Sequence, residues 1–205
     1  MAEYRTEQES FWAEKFGAEY IKRNQEYINN IPFFSNILMK TSKVESIIEF
    51  GSNIGMNLKA IRKLLPNVSL SAIEINSEAV KQLSELDEVE IYNESILDFQ
   101  VDYCRDLVLI KGVLIHINPL YLNDVYELLY KTSNKYICIA EYYNPTPIEI
   151  DYRGHKGKLF KRDFAGEILD KYSDLELIDY GFVYHRDNNF PLDDVTWFLL
   201  RKKAY

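Results

Sequence analysis

The sequence predicts an α/β fold in a single domain, with a mostly parallel sheet wrapped by helices and closed by an antiparallel hairpin. Three observations predict it. Short, uniformly apolar runs recur at Ser46–Phe50, Ser69–Ile73, Val89–Tyr92, 107–110 and 136–140. Helix-period segments at 56–65, 77–86 and 120–132 separate most of them. That alternation builds parallel sheets with right-handed crossovers, and strands apolar on both faces belong where helices cover both sides. Near the C-terminus two further runs, 175–184 and 194–201, flank the turn-rich "HRDNNFPLD". A parallel return needs about a dozen residues or more, so this pair is antiparallel.

The remaining elements follow in order. Residues 6–29 carry Phe11, Trp12, Phe16, Tyr20 and Tyr27 near helical spacing, which predicts an amphipathic helix. Pro32 restarts the chain and 33–41 reads as a second helix, so residues 1–43 form a helical cap on a core of 44–205. Between residues 144 and 161, Pro145, Pro147, Gly154 and Gly157 mark a long lid loop, and a helix over 161–172 follows. No repeat or flexible linker divides the 205 residues, and 47% hydrophobic content suffices for a substantial core.

Composition narrows the function. A net charge of −8 argues against general binding to nucleic-acid phosphates. No apolar run approaches the roughly 20 residues that span a bilayer, and the polar, acidic N-terminus is unlike a signal peptide, so a cytoplasmic location without membrane contact is expected. Cys104 and Cys138 read as small buried hydrophobes in a reducing compartment. The three histidines lie far apart, so no metal site is predicted.

The stretch with most chemical content is "IIEFGSNIGMNL", where the first core strand meets a helix. In open α/β sheets ligands bind beyond the carboxyl ends of the strands, where strand order reverses. Gly51 and Gly55 allow a tight turn and leave space against the backbone. The pattern E-x-G-x-x-x-G is one glycine short of a dinucleotide fingerprint, and Glu49 would repel a pyrophosphate and attract a cation. The second strand ends in Glu74 and Ile75, where an acid can accept both hydroxyls of a ribose. The third ends in "YNESILDF", offering Ser95 and Ile96 to a base. An acid near a cationic group, an acid on a ribose and no pyrophosphate loop together describe S-adenosylmethionine.

At these residues the chain resembles the class I S-adenosylmethionine-dependent methyltransferases, whose Rossmann-like sheet has seven strands, mostly parallel, with the last antiparallel. "FWAEKFGAEYIKRN", "EFGSNIGMNLKAI", "KGVLIHINP", "EYYNPTP", "YRGHKGKLFKRDFAG" and "YGFVYHRD" are similar to the small methyltransferases associated with bacterial pseudaminic acid biosynthesis. The resemblance implies a cofactor site at Glu49, Gly51, Ser52, Asn53, Gly55, Glu74, Ile75, Ser95 and Ile96, with Lys111, Gly112 and Val113 at its methionine end. It also implies an N-terminal helix closing over the cofactor, on which Tyr20, Arg23 and Asn24 share a face, with Arg23 pairing the methionine carboxylate.

For the acceptor, the resemblance implies a small anionic sugar of the nonulosonic-acid type, or its phosphorylated or nucleotide-activated form. From Arg153 to Arg162 the segment carries Arg153, His155, Lys156, Lys158, Lys161 and Arg162 and no acid, which suits anion capture. Tyr142, Tyr143 and His185 complete the predicted acceptor side. His116, or Glu141, would take a proton from a hydroxyl acceptor, whereas an amine acceptor would need no base. A protein or nucleic-acid acceptor, or a binding protein without catalysis, are the alternatives.

Overall fold

A computed structural model describes residues 4–21 and 29–203. Seven strands form the main sheet: β1 (Ser46–Phe50), β2 (Ser69–Ile73), β3 (Val89–Tyr92), β4 (Arg105–Lys111), β5 (Ser133–Glu141), β8 (Leu175–Phe182) and β9 (Thr196–Lys202). Their spatial order is β3-β2-β1-β4-β5-β9-β8. β9 alone runs against the others, inserted between β5 and β8. After β3 the chain returns to the far side of β1, so the order reverses between β1 and β4.

Apolar residues on alternate faces of the strands build two core layers. Ile48, Phe50, Val108, Ile110 and Ile137 face α6 (Leu122–Thr132) and α7 (Phe164–Lys171). Ile47, Leu107, Leu109 and Cys138 face α3 (Asn30–Leu38) and α4 (Met56–Leu64). α5 (Ser77–Leu83) joins β2 to β3, and no helix joins β3 to β4. There the fully buried Arg105 takes the helix's place, bonded to Ser71, Glu90, Asp102 and Tyr92 under the Tyr103 ring. Cys138 is buried as expected, but Cys104, at the end of this connection, is exposed.

The expected N-terminal helix is broken in two, α1 (Glu7–Ala13) and α2 (Lys15–Ile21). Thr6 and Glu9 start α1 with a reciprocal capping box. The break at Glu14 frees carbonyls that a distant side chain satisfies: the Asn76 amide donates to the oxygens of Trp12 and Ala13 at 2.9 and 3.2 Å. Gly17 makes the tight fold possible, because a Cβ there would lie 1.9 Å from the Trp12 carbonyl oxygen. The lid loop also has structure. β6 (Ile148–Glu149) pairs with β7 (Phe160–Lys161), and Tyr152 and His155 exchange two backbone bonds across Arg153-Gly154, both at positive φ. That is the two-residue turn whose twist suits a hairpin. No helix among the described residues is long and apolar enough to cross a membrane.

Candidate active site

The turn after β1 is held by backbone bonds from Gly51 and Ser52 to the Ile73 carbonyl, at 2.9 and 3.0 Å. Its two glycines serve different neighbours. A Cβ on Gly51 would meet Val113 at 2.6 Å, while one on Gly55 would meet Leu83 and Leu86 of the α5 region at 2.5–2.6 Å. Gly55 therefore packs α4 against α5 and is absent from the cavity wall, although it was expected to face a ligand.

Beyond the carboxyl ends of β1, β2 and β4 lies a cavity of about 540 Å³. Gly51, Ser52 and Asn53 line it from the β1 turn, and Glu74 and Ile75 from β2. Ser95 and Ile96 line it beyond β3, and Lys111, Gly112 and Val113 beyond β4. Tyr20 reaches it from α2, and Arg23 and Asn24 lie outside the described residues. Glu74 is 8% exposed, and its two oxygens accept the Asn53 and Asn76 amides at 2.7 Å each. Burial raises its pKa against those bonds, and it braces the β1 turn and the start of α5 together.

Glu49 stands behind the wall. One oxygen accepts from the Asn57 amide at 2.5 Å, and the other has no partner among the described residues. Burial pushes its pKa up to about 8 against the Asn57 bond and nearby Lys111.

His116 ends a 3-10 turn (Leu114–His116) and lines the cavity, 7% exposed. Its Nδ1 lies 2.6 Å from the Lys158 carbonyl. A carbonyl only accepts, so Nδ1 carries the proton and Nε2 keeps the lone pair. Trp12 and Tyr152 pack on the ring at 4.6 and 4.9 Å between centroids. Burial brings its pKa down to about 4. Glu141 is off the wall: one oxygen accepts the Val113 and Leu114 amides at 2.9 and 2.8 Å, capping the turn that presents His116. Burial lifts its pKa to about 7 against those bonds.

The residues expected at the acceptor lie outside the cavity wall. Lys158 pairs with Glu7 of α1 at 3.3 Å and Arg162 with Glu167 of α7 at 2.6 Å. Arg153 is exposed at the hairpin tip, and His155 packs on Phe11 and Phe16. Tyr142 is half-buried within the electrostatic reach of Asp193, Tyr20 and Tyr152, and burial raises its pKa. Tyr143 is exposed and bridges to Arg162. His185 holds Asp194, its amide at 3.0 Å and Nδ1 at 2.8 Å, and so pins the β8–β9 connection.

That connection supplies wall residues the sequence reading missed, Leu192 and Asp193. Glu9 and Trp12 of α1 were missed too; Glu9 accepts the Ser95 hydroxyl. The "TEQE" capping box was a legible signal for Glu9, whereas nothing local marks Asp193.

No protein-family model matches the sequence, and no curated protein sequence does. Solved structures do match. The 1,6-didemethyltoxoflavin-N1-methyltransferase of Burkholderia thailandensis, with S-adenosylhomocysteine bound, aligns with a TM-score of 0.70 at 11% identity, over 96% of this chain and 87% of that one. The plantazolicin methyltransferase BpumL, also with that ligand, gives 0.66 at 15%, covering 96% and 94%. The N-methyltransferase NodS of Bradyrhizobium japonicum gives 0.64 at 14%, covering 91% and 98%. The chain shares their fold. It is a Rossmann-like class I methyltransferase fold, with the seven mostly parallel strands and the antiparallel last strand expected from the sequence.

Proposed function

We propose that the protein is an S-adenosylmethionine-dependent methyltransferase for a small acceptor. The observation that carries this reading is Glu74, a buried carboxylate at the end of β2 on the wall of a cavity at the strand-order reversal. Each of its oxygens receives one backbone bond and has capacity for another, the requirement for two ribose hydroxyls. The site fits the cofactor in other respects. A Cβ on Gly112 would meet nothing within 4 Å, so the end of β4 borders open space, and the Asn53 side-chain oxygen is buried without a partner among the described residues. Glu9, bonded to Ser95, closes the end where the third strand offers Ile96 to a base.

When bound, the cofactor supplies a methyl group already activated by a sulfonium. The protein's work is then alignment and exclusion of water. Trp12 and Tyr152 shield His116, and Glu141 fixes the turn carrying it. The Nε2 lone pair is available to an acceptor's proton; an amine acceptor arriving neutral would need only orientation.

For the acceptor, the reading is a small anionic sugar of the nonulosonic-acid type, or its activated form. Its support is the sequence resemblance and the exposed Arg153, His155 and Lys156 at a hairpin packed on α1, beside the Trp12 end of the cavity. Titration calorimetry with S-adenosylhomocysteine tests the cofactor. A mass-spectrometric screen of sugar acids, sugar phosphates and nucleotide sugars for the gain of one CH2 tests the acceptor. Absence of S-adenosylhomocysteine binding would refute the methyltransferase reading.

A further inference from the structure

The sheet face that α6 and α7 cover is left bare by the described residues at its β8 edge. α7 seals it as far as Leu175, which is buried in the core with Phe164, Ala165 and Ile168. Beyond that point β8 presents Leu177, Tyr180, Phe182 and, just past its end, Tyr184, each 43–64% exposed. Strand register puts them on one side: Leu177 stands opposite Leu200, Tyr180 opposite Phe198 and Phe182 opposite Thr196. The bulge between Leu177 and Asp179 absorbs one residue, so Leu177 keeps the same face despite the odd spacing. Phe198 extends the strip inward, 6.0 Å from Tyr143 and 6.3 Å from Tyr180 between ring centroids. The charged residues of β8 take the other face, where Asp179 pairs with Lys40 just beyond α3, and Glu176 with Arg201.

At roughly 200 Å² for an aromatic side chain, these exposures, with Tyr143 at 41%, leave about 500 Å² on the strip. Two such strips buried against each other reach about 1,000 Å², the size at which a specific interface begins, before any contact at the rim. The shape also suits a copy of itself. β-Sheets twist with one hand, and two faces of equal twist pack at about −30° and roughly 10 Å apart. The strip carries no charge, so it escapes the repulsion that a net charge of −8 imposes between copies elsewhere on the surface. We propose that this strip joins two copies of the chain, packed strip on strip about a two-fold axis. Such a contact uses the same patch on both copies, so it closes at two. It also borders the active site. The Tyr184 ring packs on His185 at 4.8 Å, and His185 holds Asp194 in the loop that lines the cavity.

Sedimentation equilibrium of the full chain tests the inference. The wild type should form a dimer, twice the 24.2 kDa of one chain, at tens of micromolar. Tyr180→Glu and Tyr184→Glu should each raise the dimer dissociation constant at least about hundredfold, because the axis introduces every buried charge twice. Circular dichroism checks that both fold; Tyr184 lies past the end of β8, so its variant still reads the interface if Tyr180→Glu unfolds. Leu120→Glu, at an 86% exposed position on the turn into α6, should leave the dimer intact. A monomeric wild type overturns the inference and leaves the strip to another protein or to solvent. So does a dimer that survives in the folded variants, or an assembly that keeps growing with concentration.

Discussion

Glu74→Ala tests the site and the fold at once, because the structure gives this carboxylate two duties. Its oxygens accept the Asn53 and Asn76 amides at 2.7 Å, so the alanine leaves two backbone donors without their acceptor. Each charge-assisted bond is worth about 1.5–3 kcal/mol. The net loss lies toward the low end, since burying the carboxylate is itself unfavourable, as its raised pKa shows. A loss of about 3 kcal/mol lowers Tm by roughly 6–12 °C in a domain of this size.

Measured well below that transition, S-adenosylhomocysteine affinity should fall at least about tenfold as the ribose hydroxyls lose their acceptor. Glu74→Gln separates the duties. It keeps one oxygen for a backbone amide but replaces the other by a donor, so it should be intermediate in Tm while still losing affinity. The measurements are differential scanning calorimetry and ligand titration on the same samples. An unchanged Tm in Glu74→Ala refutes the brace, and wild-type affinity in both variants refutes the ribose contact.

Other perturbations have equally direct readouts. Burial raises the pKa of Glu49 from 4.5 to about 8 and that of Glu141 from 4.5 to about 7, so the folded state keeps protons that the unfolded chain has released. Their contribution is therefore greatest below the ordinary carboxylate pKa and declines as pH rises through 7 and 8. Glu49→Gln should match the wild type near pH 4 (~0 kcal/mol difference) and exceed it near pH 9 by roughly 3–5 kcal/mol in denaturant titrations; equal stability at both pH values would exclude a buried, protonated Glu49. His116→Ala should slow methyl transfer to a hydroxyl acceptor by roughly 10²–10⁴-fold with cofactor affinity intact. In the wild type the acid limb of the rate profile should fall near pH 4, set by the depressed imidazole pKa, and a limb near the ordinary value would contradict the burial. Arg153→Ser at the exposed tip should raise the KM of an anionic acceptor without altering Tm. Arg162→Ala should instead lower Tm, because Arg162 and the Tyr126 hydroxyl share Glu167, at 2.6 Å each. The reverse pattern would place Arg162 at the acceptor.

The split between Arg153 and Arg162 shows where sequence reading reaches its limit. Strands were legible because their apolar runs have a length and period imposed by the sheet, and Glu74 was legible because a strand's carboxyl end is a defined place. The basic stretch has no such frame. Its cations read as free for a ligand, yet Lys158 finds Glu7, 151 positions away, and Arg162 finds Glu167 on the next helix. Pairing across the fold decides which charges remain available, and local pattern carries no record of it. The same reasoning bears on Glu141, whose position at the end of β5 suggested chemistry and of whose oxygens one is taken by two backbone amides while the other has no partner among the described residues. It explains Asp193 as well, since an acid in a polar loop carries no signal until β9 returns beside β5 and brings the loop over the cavity. The antiparallel β9 is therefore more than a feature of topology. β8 runs parallel to β5 and ends at Phe182, level with Glu141, so the chain turns at the carboxyl end of the parallel strands before β9 leads it away, and the loop of that turn meets the site.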